Sequence, residues 1–105
     1  MNITVTPQAQ AWFKEEVGIL PGYGIQFKAK VYGSSPISHG FSLYLEPALP
    51  SKEIGAEFKA DNGIYFFVDQ EDVWFFDGHD LSVEFDETLK EPKYIYLKDG
   101  KALNS

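Results

Sequence analysis

The 105-residue sequence contains no cysteine, and this absence excludes several classes of site at once. Without thiols the chain cannot form a disulfide, use a thiolate nucleophile or hold an iron–sulfur cluster through cysteine ligands. The sequence also lacks an apolar run of about 18 residues, so it predicts no membrane span. Its N-terminus has no basic region followed by an apolar block, which is the pattern of an export signal. Cytoplasmic localisation is therefore expected.

Basic residues are scarce relative to acidic ones. Nine lysines and arginines stand against sixteen aspartates and glutamates, which gives a formal net charge of −7. A chain of this charge is repelled by phosphate backbones and by anionic lipid. The sequence therefore predicts neither a nucleic-acid partner nor a membrane partner.

Apolar side chains are abundant, since 44% of the residues are hydrophobic and 16% are aromatic. This composition is typical of a folded globular chain and excludes intrinsic disorder. The length fits one domain over residues 1–105. Residues 98–105 are polar and terminal, and we expect them to form a flexible tail.

Two short helices are predicted from capping residues and apolar spacing. Thr6 is a good N-cap, and Pro7 suits the first helical position because it has no N–H to lose. The apolar stripe that follows consists of Ala9, Trp12, Phe13 and Val17, and Gly18 suits the exit. Asp69 is the predicted cap of a second helix over 70–76, which the Asp77-Gly78 pair closes.

Alternation of apolar and polar residues predicts strands over 25–32, 41–46 and 81–85, with a last strand over 93–97. Asn62-Gly63 lies between two further strand-like runs and indicates a hairpin. The predicted fold class is therefore α+β: one compact domain with a mostly antiparallel sheet, curled or two-layered, and two short helices.

Several segments follow one another in an order and spacing that a known family shares. They are the opening 3–6 with its helix, the strand 25–31 whose loop returns through 40–42, the stretch 63–69, and the Asp77-Gly78 pair followed by Leu81. In this respect the chain resembles the HesB-like family, the A-type iron–sulfur cluster biosynthesis proteins. The resemblance implies a compact β-rich α+β fold and a homo-oligomer, a dimer or a tetramer.

The chain departs from this family at the cofactor ligands. Members that carry iron or a cluster use three cysteines, of which one stands two residues before the Gly-Phe pair; that position is Ser38 here. The other two form a Cys-x-Cys motif near the C-terminus, which the stretch 98–105 lacks. A serine hydroxyl is a poor ligand for soft iron. We therefore expect no cofactor.

Two places carry polar side chains that fit a partner or metal contact. Ser38 and His39 lie in the 33–40 loop, and loops carry function because a scaffold can vary them freely. The hard ligands near the second helix are Asp77, His79 and Asp80. Both sets also fit ordinary exposed turns, and no His-x-x-x-His spacing indicates a zinc site.

No pattern in the sequence indicates catalysis. A nucleophilic serine needs a positioned base and an exposing strand–turn–helix elbow, and the Gly-x-Ser-x-Gly motif is absent. Most of the aromatic residues in the runs 65–67 and 74–76 are expected in the buried core, and the alternative is that a share of them forms an oligomer face or a binding groove.

The sequence thus favours a non-enzymatic, cysteine-free HesB-like protein that holds no cluster and serves as a scaffold or binds an unknown protein partner. The alternative is a carrier or sensor of iron or zinc that uses histidine and carboxylate ligands, His39 and His79 among them. An uncharacterised enzyme is the least supported of the three hypotheses.

Overall fold

Two four-stranded sheets make up most of this computed structural model, which describes residues 1–31, 34–35 and 38–103, with the backbone alone at 34–35 and 38–39. The strands of the described chain are β1 (Ile3–Val5), β2 (Gly24–Lys30), β3 (Ser34–Ser35), β4 (Ser38–His39), β5 (Ser42–Ala48), β6 (Ile54–Lys59), β7 (Tyr65–Asp69), β8 (Asp80–Asp86), β9 (Glu91–Lys98) and β10 (Lys101–Ala102). The helices are α1 (Pro7–Glu16) and α2 (Val73–Phe76), and a 3-10 turn at Gln70–Asp72 leads into α2. In the described chain neither helix is long and apolar enough to cross a bilayer.

The two sheets are mixed but mostly antiparallel. One has the strand order β1-β8-β9-β10 and the other β5-β2-β7-β6, while β3 and β4 form a two-stranded ribbon. The pairs β1–β8 and β2–β7 are parallel, and the remaining described pairs are antiparallel. The predicted α+β fold, mostly antiparallel with two short helices, is confirmed.

One buried apolar cluster joins both sheets and both helices. Phe66 on β7 contacts the ring of Phe13 on α1 at 5.1 Å and that of Phe27 on β2 at 6.0 Å between centroids. Leu81 and Val83 contribute from β8, the strand of the other sheet. Because edge-to-face and offset rings pack densely, these contacts fix the two sheets on either side of one core.

The predicted N-terminal helix forms with its cap but ends earlier than expected. The Thr6 hydroxyl accepts a hydrogen bond from the Ala9 N–H at 3.3 Å, as the sequence predicts. The helix stops at Glu16, and Val17 is extended with φ −107° and ψ 123°. The predicted exit at Gly18 is therefore wrong: Val17 packs against the core and turns the chain out first.

The hairpin predicted at Asn62-Gly63 joins β6 and β7, and Lys59 stands opposite Tyr65 in its register. Gly63 has a φ of 93°. The Asn62 side chain accepts from the Ile64 N–H at 3.2 Å and donates to the Gln10 carbonyl at 3.0 Å. This asparagine therefore closes the turn and also attaches it to α1.

Part of the expected tail pairs with the sheet. Asp99 and Gly100 have φ values of 53° and 78°, the positive pair that a tight two-residue hairpin turn requires. Ala102 then stands opposite Leu97, and the Leu103 N–H donates to the Tyr96 carbonyl at 2.9 Å. The Asp-Gly pair is a hairpin signal that the tail interpretation overlooked.

Candidate functional site

The segment between β7 and β8 forms the second predicted helix as a 3-10 turn followed by one turn of α-helix. The Asp69 carboxylate accepts from the Glu71 N–H at 3.1 Å, so the predicted cap is confirmed. At the other end Asp77 and Gly78 take φ values of 47° and 78°, and the Asp77 N–H donates to the Trp74 carbonyl at 3.1 Å. Local sequence signals therefore determine where this segment begins and ends.

A glycine on the neighbouring strand lets this segment lie close to the sheet. A β-carbon at Gly55 on β6 would clash with Val73 Cγ2 and would stand 3.1 Å from the Gln70 Cα. The Gln70 N–H also donates to the Glu53 carbonyl at 3.0 Å. The absence of a side chain at position 55 thus fixes the distance of α2 from β6.

The three aromatic residues of α2 differ sharply in exposure. Phe75 and Phe76 are 1% and 0% exposed, whereas Trp74 is 55% exposed. The Trp74 ring meets Phe41 at 5.1 Å and Phe75 at 6.2 Å, both edge to face. Of the two interpretations of the aromatic runs, partial exposure is therefore correct at Trp74, and these contacts hold its ring in place.

Further apolar surface lies near Phe41, at the end of the β2–β5 ladder where Lys30 pairs with Ser42. Lys30 stands opposite Ser42, so Val31 and Phe41 flank the last described pair of that ladder. Val31 is 66% exposed. An open cavity of about 440 Å³ beside it is lined by Ala29, Lys30, Val31 and Tyr44. Phe41 and Trp74, with Glu71 and Asp77 on either side of the tryptophan in the chain, are called the Trp74 surface below.

Along the chain, the residues around α2 carry charge of one sign. The stretch 69–87 has no lysine or arginine and holds half of the chain's acidic residues: Asp69, Glu71, Asp72, Asp77, Asp80, Glu84, Asp86 and Glu87. Glu71 and Asp77 are exposed and form no hydrogen bond or ion pair through their side chains within the described residues. The Trp74 surface therefore combines an exposed aromatic ring with two solvated carboxylates.

Asp72 lies deeper and faces a different environment. Burial raises the pKa of its carboxyl group, while a hydrogen bond from the Ala29 backbone and the charge of Lys28 oppose the shift. Lys28 itself pairs with Glu46 at 3.4 Å. Asp72 thus links the start of α2 to the end of β2 and supports the position of the tryptophan two residues later.

The structure separates the residues that the sequence grouped as hard ligands. His79 is buried, and its Nδ1 lies 2.8 Å from the Phe76 carbonyl oxygen. Asp80 accepts from the Asn2 N–H at 2.8 Å, which ties it to the N-terminal segment. In the described part of the chain no three histidine or acidic residues come together as metal ligands would.

Ser38 and His39 belong to β4, where their backbones pair with Ser35 and Ser34. Their side chains lie outside the described residues, as do residues 33 and 36–37 of the 33–40 loop. The structure places Phe41, directly after that loop, against Trp74. The sequence predicted no role for Phe41, and it included Trp74 only in the run 74–76 that fits a core or a binding face. A tryptophan within a stretch that has acidic but no basic residues was the available signal.

The fold and this surface define a small α+β protein that presents one anchored aromatic ring among carboxylates. No protein-family model matches the chain. It is 38% identical over 96 residues to the pyruvate dehydrogenase inhibitor of Bacillus subtilis, an alignment that covers 91% of this chain and 99% of that relative. An uncharacterised protein of Staphylococcus haemolyticus is 33% identical over 93% of this chain and 100% of its own length. The chain belongs to the family of the Bacillus subtilis inhibitor.

These findings correct the functional predictions made from the sequence. The HesB-like resemblance, and with it the relation to iron–sulfur cluster biosynthesis, is wrong, because the named full-length relative is a pyruvate dehydrogenase inhibitor and no family model matches. The segments that carried it are caps, strand alternation and Gly-containing turns, which many α+β chains share. The alternative of an iron or zinc carrier has no support in the relatives either.

Proposed function

We propose that this chain is a regulatory protein that inhibits pyruvate dehydrogenase by binding to it. The observation that carries the proposal is the 38% identity to a protein named pyruvate dehydrogenase inhibitor, aligned over 99% of that relative. Since the alignment covers 91% of this chain and 99% of the inhibitor, most of this domain corresponds to nearly the whole of that relative. A non-catalytic role, which the sequence also favours, follows from this proposal.

The character of the described surface supports a binding role. Tryptophan is among the residues that contribute most to protein interfaces, and Trp74 is both exposed and held by Phe41. An anchored ring loses little conformational freedom when it enters a partner's pocket, so its burial yields more net affinity than that of a mobile side chain.

The test is an activity titration. Purified pyruvate dehydrogenase is assayed with increasing amounts of this protein, with heat-unfolded protein and an unrelated acidic protein as controls. The expected result is a saturable loss of activity that only the folded chain produces. Full activity at a large molar excess of the folded chain would refute the proposal.

The 33–40 loop remains a second predicted contact, through Ser38 and His39. Replacement of both residues by alanine should change the free energy of unfolding by no more than about 0.5 kcal/mol, as is usual for polar loop substitutions. The same variant should inhibit pyruvate dehydrogenase less well than the unchanged chain. A large loss of stability with undiminished inhibition would show that the loop is structural.

Three further expectations concern the cofactor, the location in the cell and the oligomeric state. The absence of a cofactor and the cytoplasmic localisation stay predictions, which metal analysis and cell fractionation would check. The homo-oligomer loses the support of the HesB-like resemblance but stays a prediction, because the aromatic runs also fit an oligomer face.

A further inference from the structure

We propose that the Trp74 surface is the face that docks on the inhibited enzyme, and that its counterpart there is a basic patch with an apolar pocket. In this arrangement the Trp74 ring enters the pocket, and Glu71 and Asp77 face lysine or arginine side chains. The inference rests on the proposed function and deepens it by naming the surface and the chemistry of the partner.

Trp74 differs in character from the other exposed apolar residues. The other large exposed hydrophobic residues in the described chain are all aliphatic: Leu20, Val31, Leu49 and Leu89. Trp74 offers a larger apolar area, and its ring is already fixed by edge contacts with Phe41 and Phe75. Large, preorganised aromatic rings are the typical anchors of interface hot spots.

The Trp74 surface carries negative charge that no nearby base along the chain compensates. Glu71 and Asp77 stand three residues before and after Trp74, and both keep their charges solvated within the described structure. The stretch 69–87 carries no compensating base, and the whole chain carries −7. Of the two lysines on β2, Lys30 lines the neighbouring cavity and Lys28 is already paired with Glu46. Charge complementarity therefore requires a positively charged partner surface.

The helix α2, which carries Trp74, is held rigidly by packing. Gly55 lets α2 approach β6 closely, and Phe75 and Phe76 fix the helix in the core. The half-buried carboxyl group of Asp72 faces the Ala29 backbone at the end of β2. The surface is thus built in advance on packed elements, so docking does not have to order it.

The experiment compares two changes on this surface with matched changes elsewhere. The surface variants are Trp74→Ala and the double charge reversal Glu71→Lys with Asp77→Lys. Their controls are Leu89→Ala, which removes another exposed apolar residue, and Glu15→Lys with Glu16→Lys, which changes the net charge equally at the exposed end of α1. Trp74→Phe keeps an aromatic ring against Phe41, so it serves as the milder variant if Trp74→Ala does not fold. Circular dichroism monitors the folding of each variant.

Each variant is titrated into the pyruvate dehydrogenase assay at low and high ionic strength. Trp74→Ala and the charge reversal should raise the half-inhibitory concentration roughly tenfold or more, as expected for a hot-spot residue and its charged rim. The controls should stay within about twofold, since exposed substitutions outside an interface are nearly neutral. High salt should weaken inhibition by the unchanged protein more than inhibition by the charge-reversed variant.

Other outcomes overturn the inference in distinguishable ways. If the unchanged chain inhibits and both surface variants inhibit equally well, the docking face lies elsewhere while the proposed function stands. If Trp74→Ala only dissociates a dimer of this chain, the surface is a self-association face. If the charge control Glu15→Lys with Glu16→Lys loses as much inhibition as the surface variants, then inhibition depends on the net charge of the chain and not on the Trp74 surface. If the unchanged chain does not inhibit, the proposed function and this surface fail together.

Discussion

At the scale of single residues, the exposure of one tryptophan depends on a glycine in another element. Gly55 permits the close approach of Val73, and the helix that begins there ends within four residues. Such a short helix buries Phe75 and Phe76 and leaves Trp74 55% exposed. The position of the proposed docking residue is therefore set by packing on β6 rather than by its own sequence neighbours.

Replacement of Gly55 by alanine tests this dependence. The added methyl group would collide with Val73, a stiff β-branched side chain, and with the Gln70 backbone 3.1 Å away. We expect a loss of about 1–3 kcal/mol in the free energy of unfolding, the usual cost of overpacking, together with weaker inhibition. Urea denaturation measures the free energy of unfolding.

Gly18→Ala is the matched control, because no atom lies within 4 Å of a β-carbon built there. Its free energy of unfolding should stay within about 0.5 kcal/mol of the unchanged chain. Equal stabilities for Gly55→Ala and the unchanged chain would show that α2 can move outward at no cost.

The residues of the candidate site divide into those that sequence could find and those that it could not. The cap at Asp69 and the turn at Asp77-Gly78 are local, so their residue types predict them. The contact between Phe41 and Trp74 joins residues 33 positions apart and depends on the tertiary fold. The sequence therefore leaves the exposure of Trp74 open, whereas the ends of its helix are predictable.

At the scale of elements, β9 carries two tyrosines that belong to the core side of its sheet. Tyr96 packs against Phe76 at 6.2 Å, and Tyr94 meets Phe27 of the opposite sheet at 6.2 Å. Burial raises the pKa of Tyr96 to about 12 and that of Tyr94 still further above its ordinary value. Both hydroxyls therefore stay protonated in the folded chain when exposed tyrosines ionise.

These shifts predict a loss of stability in alkali. In the unfolded chain the two tyrosines ionise near pH 10, whereas the folded chain keeps their protons up to pH 12 for Tyr96. Since the unfolded state then binds fewer protons, the free energy of unfolding falls as pH rises from about 10 to 12. Urea denaturation at a series of pH values should show a flatter decline for Tyr94→Phe with Tyr96→Phe. An equally steep decline would contradict the shifts.

At the scale of elements, sequence patterns predict pairings between neighbouring segments but not pairings between distant ones. Strand alternation and Asn-Gly chemistry predict the β6–β7 hairpin because its residues are neighbours in the chain. The parallel pair β1–β8 sets Ile3 opposite Leu81, and no local signal specifies a contact over that distance. The β9–β10 turn at Asp99-Gly100 was predictable in principle, but its position near the C-terminus favoured the tail interpretation.

At the scale of the whole molecule, charge is distributed unevenly over one compact core. Half of the acidic residues fall in 69–87, which carries no base, although the chain as a whole has nine. The net charge alone only argues against nucleic-acid and membrane partners, whereas the position of the acidic residues beside an exposed tryptophan suggests a protein partner. The HesB-like resemblance failed at this same scale, because shared turns and strand order describe a fold and do not specify what its surface binds.

The most direct test of the account measures binding and inhibition in one titration. Purified chain is added to pyruvate dehydrogenase, and each mixture is divided between an activity assay and sedimentation that quantifies the bound chain. The account predicts that activity falls in proportion to occupancy and that both reach a plateau at the same added concentration. Saturated binding with full activity, or inhibition without any bound chain, would contradict it.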